Sequence, residues 1–471
     1  MCGIVGAVAE RDVVPILMDG LRRLEYRGYD SAGIAIRNGN NINRLRRAGK
    51  VQELQNALDA SPLEGQVGIS HTRWATHGIP NEANAHPHVS MGDVTVVHNG
   101  IIENFEVLKQ KMLALGYAFE SETDTEAVAH AIQHRLKVSG DLVNAVRETV
   151  ADLEGAYALA VMSVTDPGRL VIARAGCPVI VGIGQGENFV ASDIAALLPV
   201  TRNYIILDEG DIAVVDRTSV TVFDEDGNEA SRDVIESELT ADAAERGDFR
   251  HYMQKEIHEQ AEAVSNTLDE RAANGKVLDA AFGPQAVDVL DNTKGIHIVA
   301  CGTSYHAGLI ARYWIEDLCR IPCSVEIASE YRYRTPAVPD NTLFVTISQS
   351  GETADTLAAL RAAKDRGYLS TMTICNVPES SLVRECELVM MTRAGQEIGV
   401  ASTKAFTTQL AALALLTIAV GRRNGLSAED EKALVEQLNE LPDLIQQVLT
   451  LDPAIEALAG CLLYTSPSTR D

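Results

Sequence analysis

The spacing of apolar residues changes in character near residue 250 of this 471-residue chain. Before that point, short apolar runs of strand type, such as Ile4–Val8 and Val94–His98, outnumber the segments with helical periodicity. This pattern predicts an α+β domain. After that point, strand-type runs such as Ile296–Ala300 and Thr342–Ile347 alternate with helical segments. The alternation predicts a parallel sheet with helices on both faces and a ligand site at the carboxyl ends of its strands.

An acidic stretch separates the two patterns. From Asp224 to Asp248 the chain carries ten acidic residues and two basic ones, which is typical of a solvated connection. We therefore predict a first domain over residues 1–240, a linker over 241–250 and a second domain over 251–450. The most apolar helical segment, Leu410 to Val420, is too short to span a bilayer, and no signal peptide is expected.

Composition narrows the partners. The net charge of −26 leaves no basic surplus for neutralising phosphates, which disfavours nucleic-acid binding. Eight cysteines without regular spacing indicate reduced thiols in a cytoplasmic protein. The closest pair, Cys319 and Cys323, lacks the further ligands of a zinc site, so we expect no metal and no other cofactor.

Cys2 follows the initiator methionine. Because the side chain of Cys2 is small, we expect this methionine to be removed. The mature chain would then carry, on one residue, a thiol with an ordinary pKa of about 8.5 and an α-amino group with a pKa of about 7.7–8. A nucleophile and its base can thus both come from Cys2. The alternative is a small buried residue at the start of a strand, and position alone leaves both interpretations open.

Three further motifs of the first half carry functional groups near predicted strand or helix ends. The segment His71–Gly78 contains Arg73, whose guanidinium suits carboxylate recognition, although the segment could also be a surface loop. Asn99 and Gly100 could form an oxyanion hole or a tight turn that ends the preceding strand. Asp124 could bind an ammonium group or cap the helix beside it.

Two hydroxyl-rich loops follow strands of the second half, Cys301–Ser304 and Ser348–Thr353. Hydroxyls and backbone N–H groups at a helix N-terminus form an anion site, and phosphate is the usual anion. Either loop alone could be a helix cap. Two such loops in successive strand–helix units favour a phosphate site, and the absence of a Walker A pattern disfavours a nucleoside triphosphate.

In chain order, the motifs of the first half resemble the N-terminal-nucleophile (Ntn) glutamine amidotransferases. These motifs are Cys2–Gly6, Arg27–Gly33, His71–Gly78, His98–Asn104 and Ser121–Glu126. The second half resembles the first subdomain of the sugar-isomerase (SIS) module in Cys301–Ser304, Ser348–Thr353 and Glu397–Phe406. The combination is similar to the glutamine–fructose-6-phosphate aminotransferase family up to about residue 459. It implies an α+β Ntn glutaminase sandwich of αββα type, followed by an α/β doubly wound SIS domain.

The resemblance implies roles in glutamine cleavage. Cys2 would attack the side-chain amide while its α-amino group moves the proton, and Asn99 and Gly100 would stabilise the oxyanion. The other residues implied for this half are Arg73, Thr76, His77 and Asp124 for binding glutamine, Trp74 for gating the ammonia passage, and Arg27 for supporting the nucleophile loop.

The resemblance also implies a sugar-phosphate site, in which ammonia from L-glutamine would convert D-fructose 6-phosphate into D-glucosamine 6-phosphate. The resemblance further implies a homodimer, while the charge and apolar pattern of this chain speak against nucleic-acid and membrane partners. The residues implied for fructose 6-phosphate are Thr303, Ser304, Ser348, Gln349, Ser350 and Thr353, with Val400 and Ala401 lining the sugar pocket.

The chain departs from the family near its end. Family members continue with a second SIS subdomain that supplies the lysine and glutamate of ring opening and isomerisation. Here residues 451–459 start the next segment, whereas residues 460–471 show no helical period and match nothing in the family. We therefore expect a truncated chain that hydrolyses glutamine weakly and makes no glucosamine 6-phosphate.

Two other functions stay open. One is a sugar-phosphate-binding sensor that has lost the chemistry, against which the intact set of Cys2, Arg73, Asn99 and Asp124 argues. The other is a different Ntn amidotransferase, acting on a phosphoribosyl acceptor or an acidic amino acid. The loop Ser348–Thr353 speaks against a phosphoribosyl acceptor, which requires a different acidic and hydroxyl-bearing loop.

Overall fold

A computed structural model describes residues 2–25, 29–74, 78–237, 249–378 and 380–465. The chain divides into two units, Met1–Glu245 and Arg246–Asp471. Residues 241–248 of the predicted linker lie outside the described residues.

Two sheets form the first unit, in the strand orders β15-β11-β9-β10-β1-β4-β2-β3 and β14-β13-β12-β8-β7-β6-β5. The strands are β1 (Gly3–Val8), β2 (Ser31–Asn38), β3 (Asn41–Ala48), β4 (Val67–Arg73), β5 (His88–Ser90), β6 (Val94–Ile102), β7 (Gly155–Met162), β8 (Arg169–Ala175), β9 (Ile180–Ile183), β10 (Asn188–Ala191), β11 (Asn203–Ile206), β12 (Ile212–Asp216), β13 (Val220–Phe223), β14 (Glu229–Ala230) and β15 (Val234–Glu236). The helices are α1 (Val14–Arg23), α2 (Val51–Ala60), α3 (Phe105–Ala114), α4 (Asp124–Ser139) and α5 (Leu142–Val150).

Adjacent residues of a strand point to opposite faces, and β1 shows the consequence. Ile4 belongs to the core between the two sheets, together with Ala160 of β7. Val5 packs on the other face, with Leu17 of α1. The second sheet buries its outer face against α3, α4 and α5, for instance at Ile132. The layers are therefore helix, sheet, sheet and helix, which confirms the predicted αββα sandwich.

The second unit contains a five-stranded sheet in the order β19-β18-β20-β21-β22, with every pair parallel. The strands are β16 (Ala272–Ala273), β17 (Lys276–Val277), β18 (Gly295–Ala300), β19 (Cys323–Ile327), β20 (Thr342–Ser348), β21 (Ser370–Cys375) and β22 (Leu388–Met391), of which β16 and β17 pair separately. The helices are α6 (Tyr252–His258), α7 (Gln260–Leu268), α8 (Ala286–Asn292), α9 (Gly302–Trp314), α10 (Ala328–Tyr331), α11 (Ala354–Lys364), α12 (Ser381–Glu385), α13 (Lys404–Gly421), α14 (Ala428–Leu449) and α15 (Asp452–Thr465).

Both faces of this sheet are covered, as the prediction of a doubly wound fold requires. One core joins the sheet to residues such as Ala307 of α9 and Leu416 of α13. The other joins it to Leu360 of α11 and Leu382 of α12. The chain winds outward in both directions from β18 and β20, so a crevice is expected where the loops after these two strands diverge.

Three predicted features of secondary structure are wrong. The turn expected at Asn99–Gly100 is absent, because β7 pairs with β6 through both residues as far as Ile102. The acidic stretch is not wholly a connection, since Val234–Glu236 adds an edge strand to the first sheet. Residues 460–465, expected to be non-helical, belong to α15, in keeping with the helix-forming leucines at 462 and 463 and the alanines that precede them at 454, 457 and 459.

Helix α13 contains the apolar segment Leu410 to Val420 and begins six residues before it. By length and composition alone it could cross a membrane, and it is the one such helix in the described part of the chain. However, 78% of its apolar window is buried inside the fold. The apolarity of α13 is thus explained by its place in the core beside the parallel sheet.

Candidate active site

Cys2 immediately precedes β1, an interior strand of the first sheet. β1 pairs with β4 so that Gly3 lies opposite Thr72, which brings the end of β4 next to Cys2. The backbone N–H of Trp74 donates to Sγ of Cys2 at 3.2 Å. A Cβ on Gly3 would lie 2.7 Å from Oγ1 of Thr72 and 2.8 Å from Cδ1 of Leu24. This close packing explains why a glycine follows the cysteine.

The thiol of Cys2 is partly buried. Burial raises its pKa above the ordinary value, and the hydrogen bond from Trp74 and the charge of Arg73 act in the opposite direction. The thiol is therefore protonated at neutral pH, and attack by sulfur requires a base to take the proton. The α-amino group of Cys2, once exposed by methionine removal, would place such a base on the same residue.

Strand β6 of the second sheet brings Asn99 and Gly100 to this thiol. Nδ2 of Asn99 lies 3.4 Å from the carbonyl oxygen of Cys2, and Oδ1 lies 2.9 Å from Nε2 of His71. Gly100 has a φ of 124°, and a Cβ there would lie 2.0 Å from the carbonyl oxygen of Ala156. Only glycine fits this position, so an amide side chain and a glycine N–H occur on consecutive residues close to Cys2.

Arg73 ends β4 and is 4% exposed. Its Nη1 lies 3.9 Å from Oδ1 of Asp30, while its carbonyl accepts the N–H of Asp30 at 2.8 Å. The guanidinium is thus held in a buried position one residue from Trp74, whose side chain is 52% exposed. A buried cation beside the nucleophile suits an anionic group of a substrate.

Asp124 is the first residue of α4, and Thr123 occupies the N-cap position, so Asp124 is not the cap. Its Oδ2 accepts the backbone N–H of Ile102 at 2.9 Å, and its Oδ1 lies 3.8 Å from Nδ1 of His98. Asp124 is 4% exposed. The carboxylate is therefore anchored at the end of β6, three residues along the chain from Asn99.

Three predicted site residues, Arg27, Thr76 and His77, lie outside the described residues. The structure therefore brings together Cys2, Trp74, Arg73 and Asn99–Gly100 at the joined ends of β1, β4 and β6, with Asp124 at the end of β6.

A group of buried histidines connects these residues, and sequence reasoning assigned it no role. The rings of His71 and His86 stack with centroids 4.3 Å apart, and Nδ1 of His98 lies 3.0 Å from Oγ1 of Thr125. Burial lowers the pKa of His71 and of His88 to about 3, and that of His86 well below its ordinary value. These three imidazoles are neutral at physiological pH. The density of histidines between residues 71 and 98 was the available signal.

In the second unit, Ala300 of β18 pairs with Ile347 of β20, so the loops that follow these strands start side by side. Helix α9 begins at Gly302, directly after β18, and carries exposed Thr303 and buried Ser304 in its first turn. The two hydroxyl-rich loops therefore meet at the crevice where the chain reverses its winding direction.

The loop after β20 is a compact turn that leads into α11. Oγ of Ser348 accepts the N–H of Gly351 at 3.0 Å and lies 3.3 Å from Oγ1 of Thr353, the N-cap residue of α11. Ser350 accepts the N–H of Glu352 at 3.2 Å, and Gln349 is partly buried beside it in the chain. A turn of hydroxyl side chains at the N-terminus of an 11-residue helix is suited to an anion such as phosphate.

Two buried glutamates shape the loop that precedes α13. Oε1 of Glu256 accepts the backbone N–H groups of Ile398 and Gly399, the latter at 2.7 Å. Oε1 of Glu397 accepts those of Thr403 and Ala405 at 2.8 and 2.9 Å. We call Glu256 and Glu397 the carboxylate clamp.

The loop held by the carboxylate clamp carries exposed Val400 and Ala401, the residues expected to line the sugar pocket. Sequence reasoning included Glu397 in a motif but assigned it no role, and it missed Glu256. The pattern offered little signal for Glu256, because it lies 142 residues from Ile398, its hydrogen-bond partner.

Two family models match the chain: one described as a glutamine amidotransferase domain at residues 71–199 and one described as a SIS domain at residues 290–419. The glutamine–fructose-6-phosphate aminotransferase (isomerizing) of Shewanella oneidensis is 57% identical over 459 residues, which are 98% of this chain and 75% of that relative. The protein of the same name from Pseudomonas aeruginosa is 54% identical over 461 residues, covering 98% of this chain and 76% of the relative.

Among solved structures, the C-terminal domain of glucosamine-fructose-6-phosphate aminotransferase from Francisella tularensis is 51% identical, with a TM-score of 0.45, and covers 46% of this chain and 61% of that one. A glutamine phosphoribosylpyrophosphate amidotransferase from B. subtilis is 18% identical, with a TM-score of 0.41, and covers 79% of this chain and 81% of that one. The sequence identity of more than 50% over 98% of this chain shows the family. The chain belongs to the glutamine–fructose-6-phosphate aminotransferase (isomerizing) family.

Proposed function

We propose that this chain carries out the first half of the conversion of D-fructose 6-phosphate into D-glucosamine 6-phosphate: it releases ammonia from L-glutamine, and it binds the sugar phosphate. Both substrates appear in the name of its relatives. The observation that carries the proposal is the arrangement around one thiol. Cys2 receives the N–H of Trp74, and its carbonyl receives the amide of Asn99. A sensor that had lost the chemistry would have no need of this arrangement.

Glutamine cleavage then proceeds in two steps. Sulfur of Cys2 forms a bond to the side-chain amide carbon of glutamine, and the thiol proton passes to the α-amino group of Cys2. The negative charge that develops on the amide oxygen is accepted by Nδ2 of Asn99 and the N–H of Gly100. Collapse of the intermediate breaks the C–N bond, the proton moves to the leaving nitrogen, and ammonia departs. Water then hydrolyses the glutamyl thioester, which releases glutamate and restores the thiol.

Recognition of glutamine uses the charges beside the thiol. The guanidinium of Arg73 pairs with the α-carboxylate and the carboxylate of Asp124 with the α-ammonium group. The burial of both residues supports this assignment, because a charge pair is stronger when water is excluded. Thr76, His77, Arg27 and the ammonia gate at Trp74 keep the roles predicted from the resemblance.

Fructose 6-phosphate binds in the second unit. Its phosphate occupies the crevice formed by Thr303, Ser304 and the loop Ser348–Thr353, where the N-termini of α9 and α11 favour an anion. The sugar extends toward Val400 and Ala401 on the loop held by the carboxylate clamp. The meeting of the two hydroxyl-rich loops at adjacent strand ends supports this placement.

We further propose a cytoplasmic protein that associates as a homodimer and binds neither nucleic acid nor membrane. The net charge of −26 supports the first of these exclusions, and the burial of α13 supports the second.

The proposed function is tested by measuring both products with the purified chain. Glutamate released from glutamine reports the first half of the reaction, and glucosamine 6-phosphate formed from added fructose 6-phosphate reports its use of ammonia. From the sequence, we expect weak release of glutamate and no formation of glucosamine 6-phosphate. Binding of fructose 6-phosphate with no glutamate release under any condition would favour the sensor.

A further inference from the structure

We propose that His71 is a positioning residue for glutamine cleavage: its neutral imidazole, protonated on Nε2, holds the Asn99 side chain with the amide NH2 toward the oxyanion. The inference rests on the proposed function, since it concerns how the oxyanion donor is kept in place.

The contact joins the two sheets of the first unit. His71 lies on β4 in one sheet and Asn99 on β6 in the other, and Nε2 of His71 is 2.9 Å from Oδ1 of Asn99. His71 is fully buried and Asn99 is 7% exposed. A hydrogen bond in this environment is strong, and losing it leaves a buried polar group unsatisfied.

The orientation of Asn99 determines which partner donates. An asparagine amide has one end that accepts hydrogen bonds and one that donates them. The carbonyl oxygen of Cys2 can only accept, so it faces Nδ2, at 3.4 Å. The acceptor Oδ1 is thereby turned to His71, and His71 must donate from Nε2.

The surroundings keep His71 in the neutral state that this requires. Burial is the main reason that its pKa falls to about 3. The hydrogen bond to Asn99 acts in the opposite direction without overcoming burial, and the charge of Arg73 adds to the lowering. His86 stacks on the ring and is itself neutral. His71 therefore stays neutral over the working pH range.

Without this donor, the Asn99 amide is free to rotate by half a turn about its terminal bond. The rotated amide presents Oδ1 where negative charge develops, so a stabilising contact becomes a repulsive one. The harm falls on the transition state rather than on bound glutamine, so it reduces kcat and spares KM.

A double-mutant cycle tests the inference, with glutamate release as the readout. We expect His71→Leu to lower kcat by about 30–100-fold with KM changed less than about threefold, in the range of losing an oxyanion donor. His71→Gln, whose amide can again donate, should recover at least about fivefold of that loss. In an Asn99→Ala background, His71→Leu should change kcat by less than about twofold, because its target is gone.

His130 provides the matched control. It is another buried histidine of the first unit, with Ser90 and the carbonyl of Ala118 as partners. His130→Leu should lower the thermal midpoint yet keep kcat within about twofold. If His71→Leu does not fold, the cycle is completed with His71→Gln and His71→Asn, whose amide donors lie at different distances from the backbone.

The possible results distinguish a failure of the positioning role of His71 from a failure of the proposed glutamine cleavage. An unmutated chain that releases no glutamate overturns the proposed function and this inference together. Glutamate release that falls by the same factor in the Asn99→Ala background, or no recovery by His71→Gln, overturns the positioning role alone.

Discussion

The backbone N–H of Ile102 donates to Oδ2 of Asp124 at 2.9 Å. This bond ties the last residue of β6 to the first residue of α4, and so fixes a carboxylate relative to the strand that carries Asn99 and Gly100. The relationship places Asp124, which is not the helix cap, where the proposed function needs a carboxylate for the ammonium group of glutamine.

Replacing Asp124 with asparagine should weaken glutamine binding. Loss of a charged hydrogen bond worth about 1.5–3 kcal/mol raises KM by about 10–100-fold and leaves kcat nearly unchanged. The control is glutaramate, which is glutamine without the α-amino group. Asp124→Asn should narrow the difference between glutamine and glutaramate. If the variant still discriminates as the unmutated chain does, Asp124 does not bind the ammonium group.

Replacing Gly100 with alanine should impair both stability and cleavage. The residue combines a φ of 124° with a Cβ position 2.0 Å from the carbonyl of Ala156, so β6 must shift away from β7. We expect a loss of about 3 kcal/mol or more in the free energy of unfolding and about 100-fold in kcat.

Gly92 supplies the matched control for this change. Its φ is 73°, and nothing lies within 4 Å of its Cβ position, so Gly92→Ala carries only the conformational cost of about 1–2 kcal/mol. Thermal midpoints and glutamate release of the two variants separate crowding from backbone strain. Equal effects at Gly92 and Gly100 would contradict the role of the Ala156 contact.

Weakening the carboxylate clamp should affect the sugar site. Glu256→Gln removes a charge that holds the N–H groups of Ile398 and Gly399, and so loosens the loop that carries Val400. We expect the Kd for fructose 6-phosphate, measured by calorimetry, to rise about tenfold. Glu262→Gln, at an exposed position on the next helix, should leave it unchanged. An unaltered Kd in Glu256→Gln would separate this loop from sugar binding.

The buried histidines should make the first unit sensitive to acid. The folded pKa of His71 and of His88 is about 3, below the ordinary value of about 6.5, so the unfolded chain binds protons first. The stability that these neutral rings provide is complete above about pH 6.5 and is lost as the pH falls toward 3, at up to about 1.4 kcal/mol per pH unit and histidine.

His71→Gln tests this dependence, since glutamine does not titrate. Urea unfolding followed by Trp74 fluorescence, in a Trp314→Phe background, reports the first unit. Between pH 6 and 5 the variant should lose about 1 kcal/mol less than the matched parent chain. Parallel pH dependences of the two chains would show that His71 is not held neutral by the fold.

The fold class could be predicted from the sequence because the strand-type apolar runs of the first half and the strand–helix alternation of the second half are both strong. The run from Ile4 to Val8 is apolar on both faces, as a strand between two layers must be, and the alternation after residue 250 predicts the parallel sheet. The end of β6 was not accessible. Asn99–Gly100 has the local signature of a turn, and only pairing with β7, more than 50 residues away, extends the strand through it.

The candidate site also contains residues that the sequence predicts and residues that it does not. Motif order brought out Cys2, Arg73, Asn99 and Asp124, since each stands beside a recognisable strand or helix end. The partners that hold them were not visible: His71 meets Asn99 across two sheets, and Glu256 meets Ile398 across 142 residues. Contacts between distant segments leave no local pattern in the sequence. The residues that these contacts hold in place lie in local motifs and can be recognised.

The central claim is that the Cys2 thiol cleaves glutamine, and the most direct measurement compares glutamate release by Cys2→Ala with that by the unmutated chain. Cys177, the other partly buried thiol described in the first unit, is the matched control. The account predicts that Cys2→Ala folds with an unchanged thermal midpoint and releases no glutamate, while Cys177→Ala keeps at least about half of the activity. Glutamate release that survives in Cys2→Ala would contradict the account.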